Sequence, residues 1–504
     1  MLIEPPQDAV LASYAKGAPQ VVWTTLVADL ETPVSAMLKL SRSEEHCFLL
    51  ESVEGGAVRG RYSIIGMDPD LVFKTVADTA WSGSAEDLAK DTMSRLDKPS
   101  LQALRDVLES SKIDLPEALP PMAAGMFGYL GYDNVRLMEN LAESGPDPLG
   151  LSDTLLIRPQ MIVIFDNIKD EITLITPLRP DQHVTAETAY SRAVDRLTRV
   201  MDRLDAPLER GLDADGVDLT INMQSNTTPD DYYAMVRKAK EYISAGDIFQ
   251  VVLSQRFETE FTLPPFALYR ALRRVNPAPF LYFLKFGDFA IVGSSPEILV
   301  RARDGEVTIR PIAGTRPRGD TPEKDAAFAR ELLSDPKELA EHLMLLDLGR
   351  NDVGRVSKIG TVEVTDQFFL EYYSQVMHIV SNVVGELSDE FDAIDALSAG
   401  FPAGTVSGAP KVRAMQIIDE LERDKRGPYG GAVGYFTADG NMDTCIVLRT
   451  SVVKDGKMYV QAGAGIVADS IPEMEQQECI SKAKALFRAA EEAVRFASST
   501  ARGQ

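Results

Sequence analysis

Four glutamates stand in pairs three residues apart: Glu338 with Glu341 in DPKELAEHLMLLDLGRND, and Glu475 with Glu478 in PEMEQQECISKA. Residues at i and i+3 share a helix face, so each predicted helix can aim two carboxylates at one point. Two such faces brought together would form an all-oxygen site for Mg²⁺, an ion that also keeps water or substrate oxygens as ligands. A local reading competes, because Asp335, Pro336 and Glu338 fit a helix cap and solvated helix faces are routinely acidic. Glu297 in VGSSPEILVR ends a strongly hydrophobic stretch. Burial there would raise its pKa and keep it protonated, as a general acid at neutral pH requires; Pro296 equally permits a strand break with Glu297 exposed. His378 sits in the apolar, β-branched run EYYSQVMHIVSNVVG, where a buried and satisfied histidine is the ordinary expectation.

Glycine-rich turns supply the other chemistry. PAGTVSGAPK (402–411) precedes a predicted helix and QAGAGIVADS (461–470) follows a predicted strand. Backbone amides exposed in such turns bind anions, carboxylates among them, although ordinary tight turns have the same composition. Neither is a Walker loop, since Lys411 follows Ala409 and Pro410 rather than glycine. Gly463 and Gly465 begin a GxGxx string that Ala468 completes poorly, which argues against a dinucleotide site. PIAGTRPRG (311–319), with two arginines beside a glycine, reads as an anion-handling turn.

The elements that must position these residues fall into two textures. Residues 20–200 mix strand-like runs such as HCFLLESV (46–53) and QMIVIF (160–165) with a helix at 184–204. A polar linker carrying one short strand occupies 201–227, and a second region spans 228–490. Thr228 can cap a helix that has Pro229 at its first position and an apolar stripe of Tyr232, Val236, Ala239 and Ile243. Strands are predicted at 251–257, 280–286, 289–295, 433–436, 444–450 and 457–463, and helices near 264–274, 322–333, 336–350, 409–422 and 472–495. Their order is mixed rather than strictly βαβ, so α+β layering is expected over a doubly wound sheet.

Bulk composition narrows the partners. The 504 residues carry a formal charge of −24, unsuited to a phosphate backbone, so no nucleic acid is expected. Three scattered cysteines, Cys47, Cys445 and Cys479, fit neither a disulfide framework nor zinc, and suit a reducing cytoplasm. No apolar run approaches the ~18 residues of a membrane span, and MLIEPPQDAV lacks the pattern of a secretory signal; no membrane partner is expected.

Taken together, GDIFQVVLSQRF (246–257), GSSPEILVR (293–301), PIAGTRPRG, EHLMLLDLGRND (341–352), PAGTVSGAPK, GPYGGAVGYF (427–436) and the 461–483 segment resemble the anthranilate synthase component I family. The resemblance is strong over 228–490 and looser over 20–200. It implies a layered β-sandwich of mixed or antiparallel sheets flanked by helices, and conversion of chorismate and ammonia to anthranilate and pyruvate with Mg²⁺. In that family Glu341 and Glu478 would bind the metal, with Glu338 and Glu475 holding its waters. Glu297 resembles the acid that protonates the departing C4 hydroxyl. Tyr429, Arg449 and the Gly465 amide match positions that grip substrate carboxylates, where a bidentate guanidinium fits well. Gly463 and Gly314 belong to the same pocket, Thr315 and Thr405 match its polar residues, and His378 matches its histidine.

Two positions choose among the family's reactions. Water-adding relatives carry a lysine base where this chain has Gln250, and a neutral glutamine suits ammonia, which is already nucleophilic. Aminodeoxychorismate synthases carry a lysine at Ala313, and alanine cannot attack the ring. The family resemblance also implies a separate glutamine amidotransferase subunit, in a heterotetramer, and L-tryptophan as feedback inhibitor bound by Glu51 and Ser52 of LLES and by Asn276, Pro277, Ala278, Pro279 and Phe280. Arg61, Tyr62 and Ser63 are expected nearby. The alternatives are an aminodeoxychorismate synthase large subunit and a catalytically silent tryptophan-binding homologue.

Overall fold

The computed structural model describes residues 2–42, 44–54, 58–142, 145–208, 220–373 and 376–497. Two strands too long for one sheet organise it, Val58–Val76 and Thr154–Asp166. They pair with each other antiparallel, with a register shift between Pro69 and Leu71. Such a shift bends a strand and re-aims its side chains. Before it, Val58–Val76 pairs with His46–Glu54; after it, with Thr79–Gly83. Thr154–Asp166 likewise pairs first with Gly125–Leu130 and later with Glu171–Leu178. Each long strand therefore leaves one sheet and enters another.

The first sheet runs outward from His46–Glu54 through Phe280–Phe286, Phe289–Ser295, Thr450–Lys454 and Lys457–Ile466 to Gln250–Glu260. The second runs from Gly125–Leu130 through Ala432–Thr437, Met442–Ile446, Ile298–Arg303 and Glu306–Ile309 to Val376–Glu386. Ile312–Pro317 and Glu363–Tyr372 also pair with that last strand. Every described ladder is antiparallel. Phe48, Phe127, Tyr129, Ile164, Tyr282, Ile291, Val433 and Val452 fill the space between the sheets. Each such side chain, fully buried, contributes on the order of 2 kcal/mol.

Helices cover both outer faces. Gln7–Ala15, Ala186–Asp205, Pro229–Ala245, Pro265–Val275 and Pro472–Ala497 supply buried residues to the core on the first sheet. Ser100–Ser110, Pro336–Gly354 and Ala393–Gly400 do so on the second. This is the expected layered α+β arrangement. Thr228 caps its helix as expected, its hydroxyl accepting from the Asp231 amide at 3.2 Å. Within the expected 201–227 linker the helix Ala186–Asp205 extends to Asp205, a short strand occupies Gln224–Ser225, and residues 209–219 lie outside the described residues. The regions on either side of it contribute strands to both sheets.

One expected strand is two. TCIVLRT divides into Met442–Ile446 in the second sheet and Thr450–Lys454 in the first, with Arg449 at φ 48° between them. The strand expected at 289–295 is Phe289–Ser295 in the first sheet, and after the break that Pro296 permits, Ile298–Arg303 joins the second. Pro296 and Glu297 fall at that break. The apolar run Cys445–Leu448 continues through the first of these crossings, which is why sequence alone reads TCIVLRT as unbroken.

Candidate active site

The two crossings put Glu297 and Arg449 at the seam between the sheets, where neither belongs to a ladder. Glu297 is only 6% exposed. Burial pushes its carboxyl up to about 8, against the weaker opposing pull of the Thr405 hydroxyl, the Ile312 amide and the Arg449 charge. It is therefore mainly a neutral acid at pH 7. Burial lowers the Arg449 pKa, and Tyr373 and Glu297 oppose that shift. Among the described residues the Arg449 guanidinium makes no hydrogen bond or ion pair. Arg449 is half-buried; a cation drawn partly out of water without a protein partner is costly, and a carboxylate ligand would relieve that cost.

His378 stands opposite Thr315 in the ladder between Val376–Glu386 and Ile312–Pro317. The register shifts between Ala313 and Thr315, and Gly314, at φ 69°, makes the shift possible. The Gly314 carbonyl then reaches His378 Nδ1 at 3.0 Å, with the Thr315 hydroxyl at 3.1 Å. A carbonyl only accepts, so Nδ1 carries the proton. His378 Nε2 is left as a buried atom with no partner among the described residues. Burial lowers the imidazole to about 4, so the ring is neutral at pH 7. The expectation of a satisfied histidine holds for one nitrogen and fails for the other.

Gln250 begins its strand buried, 4% exposed, and its Nε2 donates to Glu341 Oε1 at 3.3 Å. The amide lies against Gly465, where a Cβ would sit 2.4 Å from Nε2. A Cβ on Gly463 would meet the Tyr429 hydroxyl at 2.8 Å. Both glycines are thus there for close approach of side chains to backbone.

Carboxylates of the two glutamate helices lie near enough to act on one another. The Glu341 carboxyl is pushed up by burial and then by Glu338 and Glu478, with the Gln250 bond opposing. Glu475 is pushed up by burial and by Glu478, with the Ser470 hydroxyl and Lys337 opposing. Yet among the described residues no group of three acidic, histidine or cysteine side chains is close enough to hold a metal. Cations of the chain stand at two of them: Lys482 pairs with Glu478 at 2.7 Å and Arg316 with Glu338 at 2.8 Å. The local reading of Asp335 is also correct, since it caps Pro336–Gly354 by accepting from the Lys337 and Glu338 amides.

The turn PIAGTRPRG differs from its expectation. Arg316 pairs with Glu331, Asp335 and Glu338, and Arg318 with Asp325, so its arginines serve protein carboxylates rather than an open anion site. Lys482 escaped the sequence reading, although a lysine four residues after Glu478 is a visible signal. Tyr373, whose ring lies 5.5 Å from the His378 ring, carried no sequence signal.

The inhibitor-type residues also come together. Leu281 pairs with Glu51 and Phe280 with Ser52. The Glu51 carboxylate accepts from Arg273 at 2.7 and 2.9 Å, from the Tyr269 hydroxyl, and from Ser63 at 3.4 Å. Asn276, Pro277, Pro279 and Phe280 are half-buried and Ala278 is buried. Arg61 instead pairs with Asp166 at 3.0 Å.

A protein with these layers and such a pocket is an enzyme of the chorismate binding enzyme family: the chain matches that family over residues 45–488 and belongs to it. It is 55% identical to anthranilate synthase component 1 of Cereibacter sphaeroides over 484 residues, covering 96% of this chain and 97% of the relative. It is 49% identical to the component 1 protein of Pseudomonas aeruginosa, covering 92% and 94% of the two chains. The crystal structure of anthranilate synthase component I from Streptococcus pneumoniae superposes with a TM-score of 0.75 at 38% identity, over 92% of this chain and 99% of that one. The menaquinone-specific isochorismate synthase of Escherichia coli, 19% identical, shares the fold with a TM-score of 0.69 over 96% of this chain and 98% of its own.

Proposed function

We propose that this chain is the large, aminating subunit of an anthranilate synthase, turning chorismate and ammonia into anthranilate and pyruvate. One observation carries the reading: a protonated Glu297 and an unpaired Arg449 share the sheet seam, while a neutral amide at Gln250 bonds the Glu341 carboxyl. Glu297 protonates the departing C4 hydroxyl. Arg449, the Tyr429 hydroxyl and the Gly465 amide take the substrate's two carboxylates, with Gly463, Gly314 and Thr405 shaping the walls. His378, held by Gly314 and Thr315, presents Nε2 to accept a proton before pyruvate leaves. Gln250 cannot deprotonate water, and Ala313 cannot attack the ring, so ammonia is the nucleophile that remains.

The acidic cluster has the donor chemistry of a divalent-cation site. Its donors are all carboxylate oxygens, and the Glu341 carboxyl is pushed up by burial and then by the Glu338 and Glu478 charges, which a cation would offset. Glu341 and Glu478 would hold Mg²⁺, with Glu338 and Glu475 on its waters. Bound, the ion would neutralise the ring carboxylate and stabilise charge that grows during the reaction.

Ammonia would come from glutamine on a separate amidotransferase subunit. In support, the relatives are named as component 1, and all three thiols of this chain are buried. Burial pushes Cys47 up to about 12 and Cys479 up to about 11, and also raises Cys445. Thiols held protonated are poor nucleophiles. Glu51, Ser52 and the 276–280 segment form the site we assign to tryptophan as feedback inhibitor. No helix among the described residues is long and apolar enough to cross a membrane, and the reduced thiols suit the cytoplasm.

The test is direct. Chorismate, ammonium and Mg²⁺ are incubated with the chain, and the product is identified by mass. Anthranilate with equimolar pyruvate is expected; an aminated product that keeps the pyruvyl group would overturn the assignment in favour of aminodeoxychorismate synthesis. Glutamine should replace ammonium only when the partner subunit is added.

A further inference from the structure

We propose that Arg426 is a positioning residue that holds the substrate-carboxylate grip in register, a role that rests on the reading of Tyr429 and the Gly465 amide given above. Its side chain is 2% exposed and pairs with Glu422, itself 5% exposed. The guanidinium spends its donors on three separate segments. Nε and Nη2 go to the two Glu422 oxygens at 2.8 and 2.6 Å. Nη1 goes to the Val406 carbonyl at 2.6 Å, and Nη2 also to the Val252 carbonyl at 2.8 Å. The guanidinium carbon lies 5.4 Å from the Tyr429 ring centre and 4.6 Å from that of Tyr132.

Each contact adjoins a proposed substrate group. Val406 follows Thr405. Val252 lies two residues beyond Gln250 and is the ladder partner of Gly465. Glu422 also accepts from the Ser254 amide at 2.7 Å and hydroxyl at 2.9 Å, and Ser254 is the ladder partner of Gly463. A planar fork with fixed N–H directions therefore sets the spacing of the 404–406 turn, the two glycines and the Tyr429 ring at once. A buried ion pair is weak as a source of stability, since well-packed apolar residues often do as well. What apolar residues cannot do is hold two carbonyls and a carboxylate at fixed angles.

Arg426→Lys keeps the charge against Glu422 and loses the fork. With ammonium as nitrogen source, its KM for chorismate should rise roughly tenfold or more while kcat changes less, because misplacement of the grip weakens substrate binding. The Mg²⁺ concentration for half-maximal rate should stay unchanged, since Arg426 touches neither glutamate helix. Tyr429→Phe and the double variant complete a cycle, in which the two effects should be less than additive. A partly unfolded sample would instead lower kcat alone.

Arg426→Lys folded by circular dichroism with an unchanged KM, or with fully additive effects, overturns the proposal. If that variant does not fold, Arg426→Met with Glu422→Leu leaves no charge unpaired and is judged by the same KM criterion. If neither folds, the pair is a determinant of the fold and the positioning role fails. Tyr429→Phe without any effect on KM refutes instead the reading of Tyr429 as a substrate ligand.

Discussion

Glu51 and Glu297 are buried to the same degree, 6% exposed each, and yet they are opposite kinds of carboxyl. Glu51 is saturated by the protein: a bidentate Arg273, the Tyr269 hydroxyl and Ser63 occupy it. Glu297 has a hydroxyl and an amide facing it, and Arg449 only as a charge, so it stays protonated up to about pH 8. Burial raises the cost of ionisation for any carboxyl, and the partners decide whether that cost is met. The carboxyl to which we assign the acid's role is the one that the fold leaves short of partners.

Glu297→Gln tests that contrast most severely. It removes the proton donor and keeps the shape, so kcat should fall by about 10²–10⁴-fold with the fold intact. In the parent enzyme the acid form is needed, so kcat/KM should decline as pH rises through about 8. Stability follows with a definite sign. The carboxyl has a folded pKa of about 8 against an ordinary 4.5, so across that window the unfolded chain releases a proton that the folded chain retains. Its contribution is therefore lost as pH rises, and Glu297→Gln should melt above the parent enzyme at pH 8 but not at pH 4.5. Equal melting temperatures at both pH values would remove the buried acid from the mechanism.

Glu341→Ala should cost about 10³-fold in Mg²⁺-dependent turnover, the scale of a metal's charge stabilisation. Near-normal activity with unchanged metal dependence would refute the ligand assignment. Gln250→Lys should have a smaller effect with a qualitative signature, a water-addition product from chorismate visible by mass. Its absence under every condition tried would mean that nucleophile choice lies elsewhere in the pocket.

How much of this was legible follows from the range over which each interaction acts. Helix caps at Thr228 and Asp335, the i, i+3 glutamate pairs and the apolar strand runs are local, and the sequence shows them directly. Arg449 looks like a strand residue because an apolar run leads into it, and for Glu297 the sequence leaves burial and exposure equally open. Only the crossing between sheets, a tertiary event, sets them apart. Arg426 was invisible for the same reason: Val252, Val406 and Glu422 come from three segments that nothing local brings together. The arginines of PIAGTRPRG misled in the opposite direction, since their acidic partners lie on the helices that follow.

The gentlest perturbation of catalysis is Glu51→Gln, which probes the saturated carboxyl. Glu51 lies in a first-sheet strand, away from the seam, so kcat without tryptophan should stay within about twofold, as for residues remote from the chemistry. Two costs should appear elsewhere. Arg273 loses its counter-charge while keeping a hydrogen-bond acceptor, so the loss of stability should fall below the ~3–5 kcal/mol of a broken buried pair. If tryptophan presents its ammonium to this carboxylate, inhibition should weaken by roughly 10–100-fold, the worth of one charge-assisted hydrogen bond. A tryptophan titration of the rate, set beside a thermal melt, reads both. Weakened inhibition with an unchanged melt would mean that Glu51 serves the ligand more than the fold. A lowered melt with unchanged inhibition would mean that Arg273 and Tyr269 already exhaust the carboxylate, and that the pocket at 276–280 recognises its ligand through other groups.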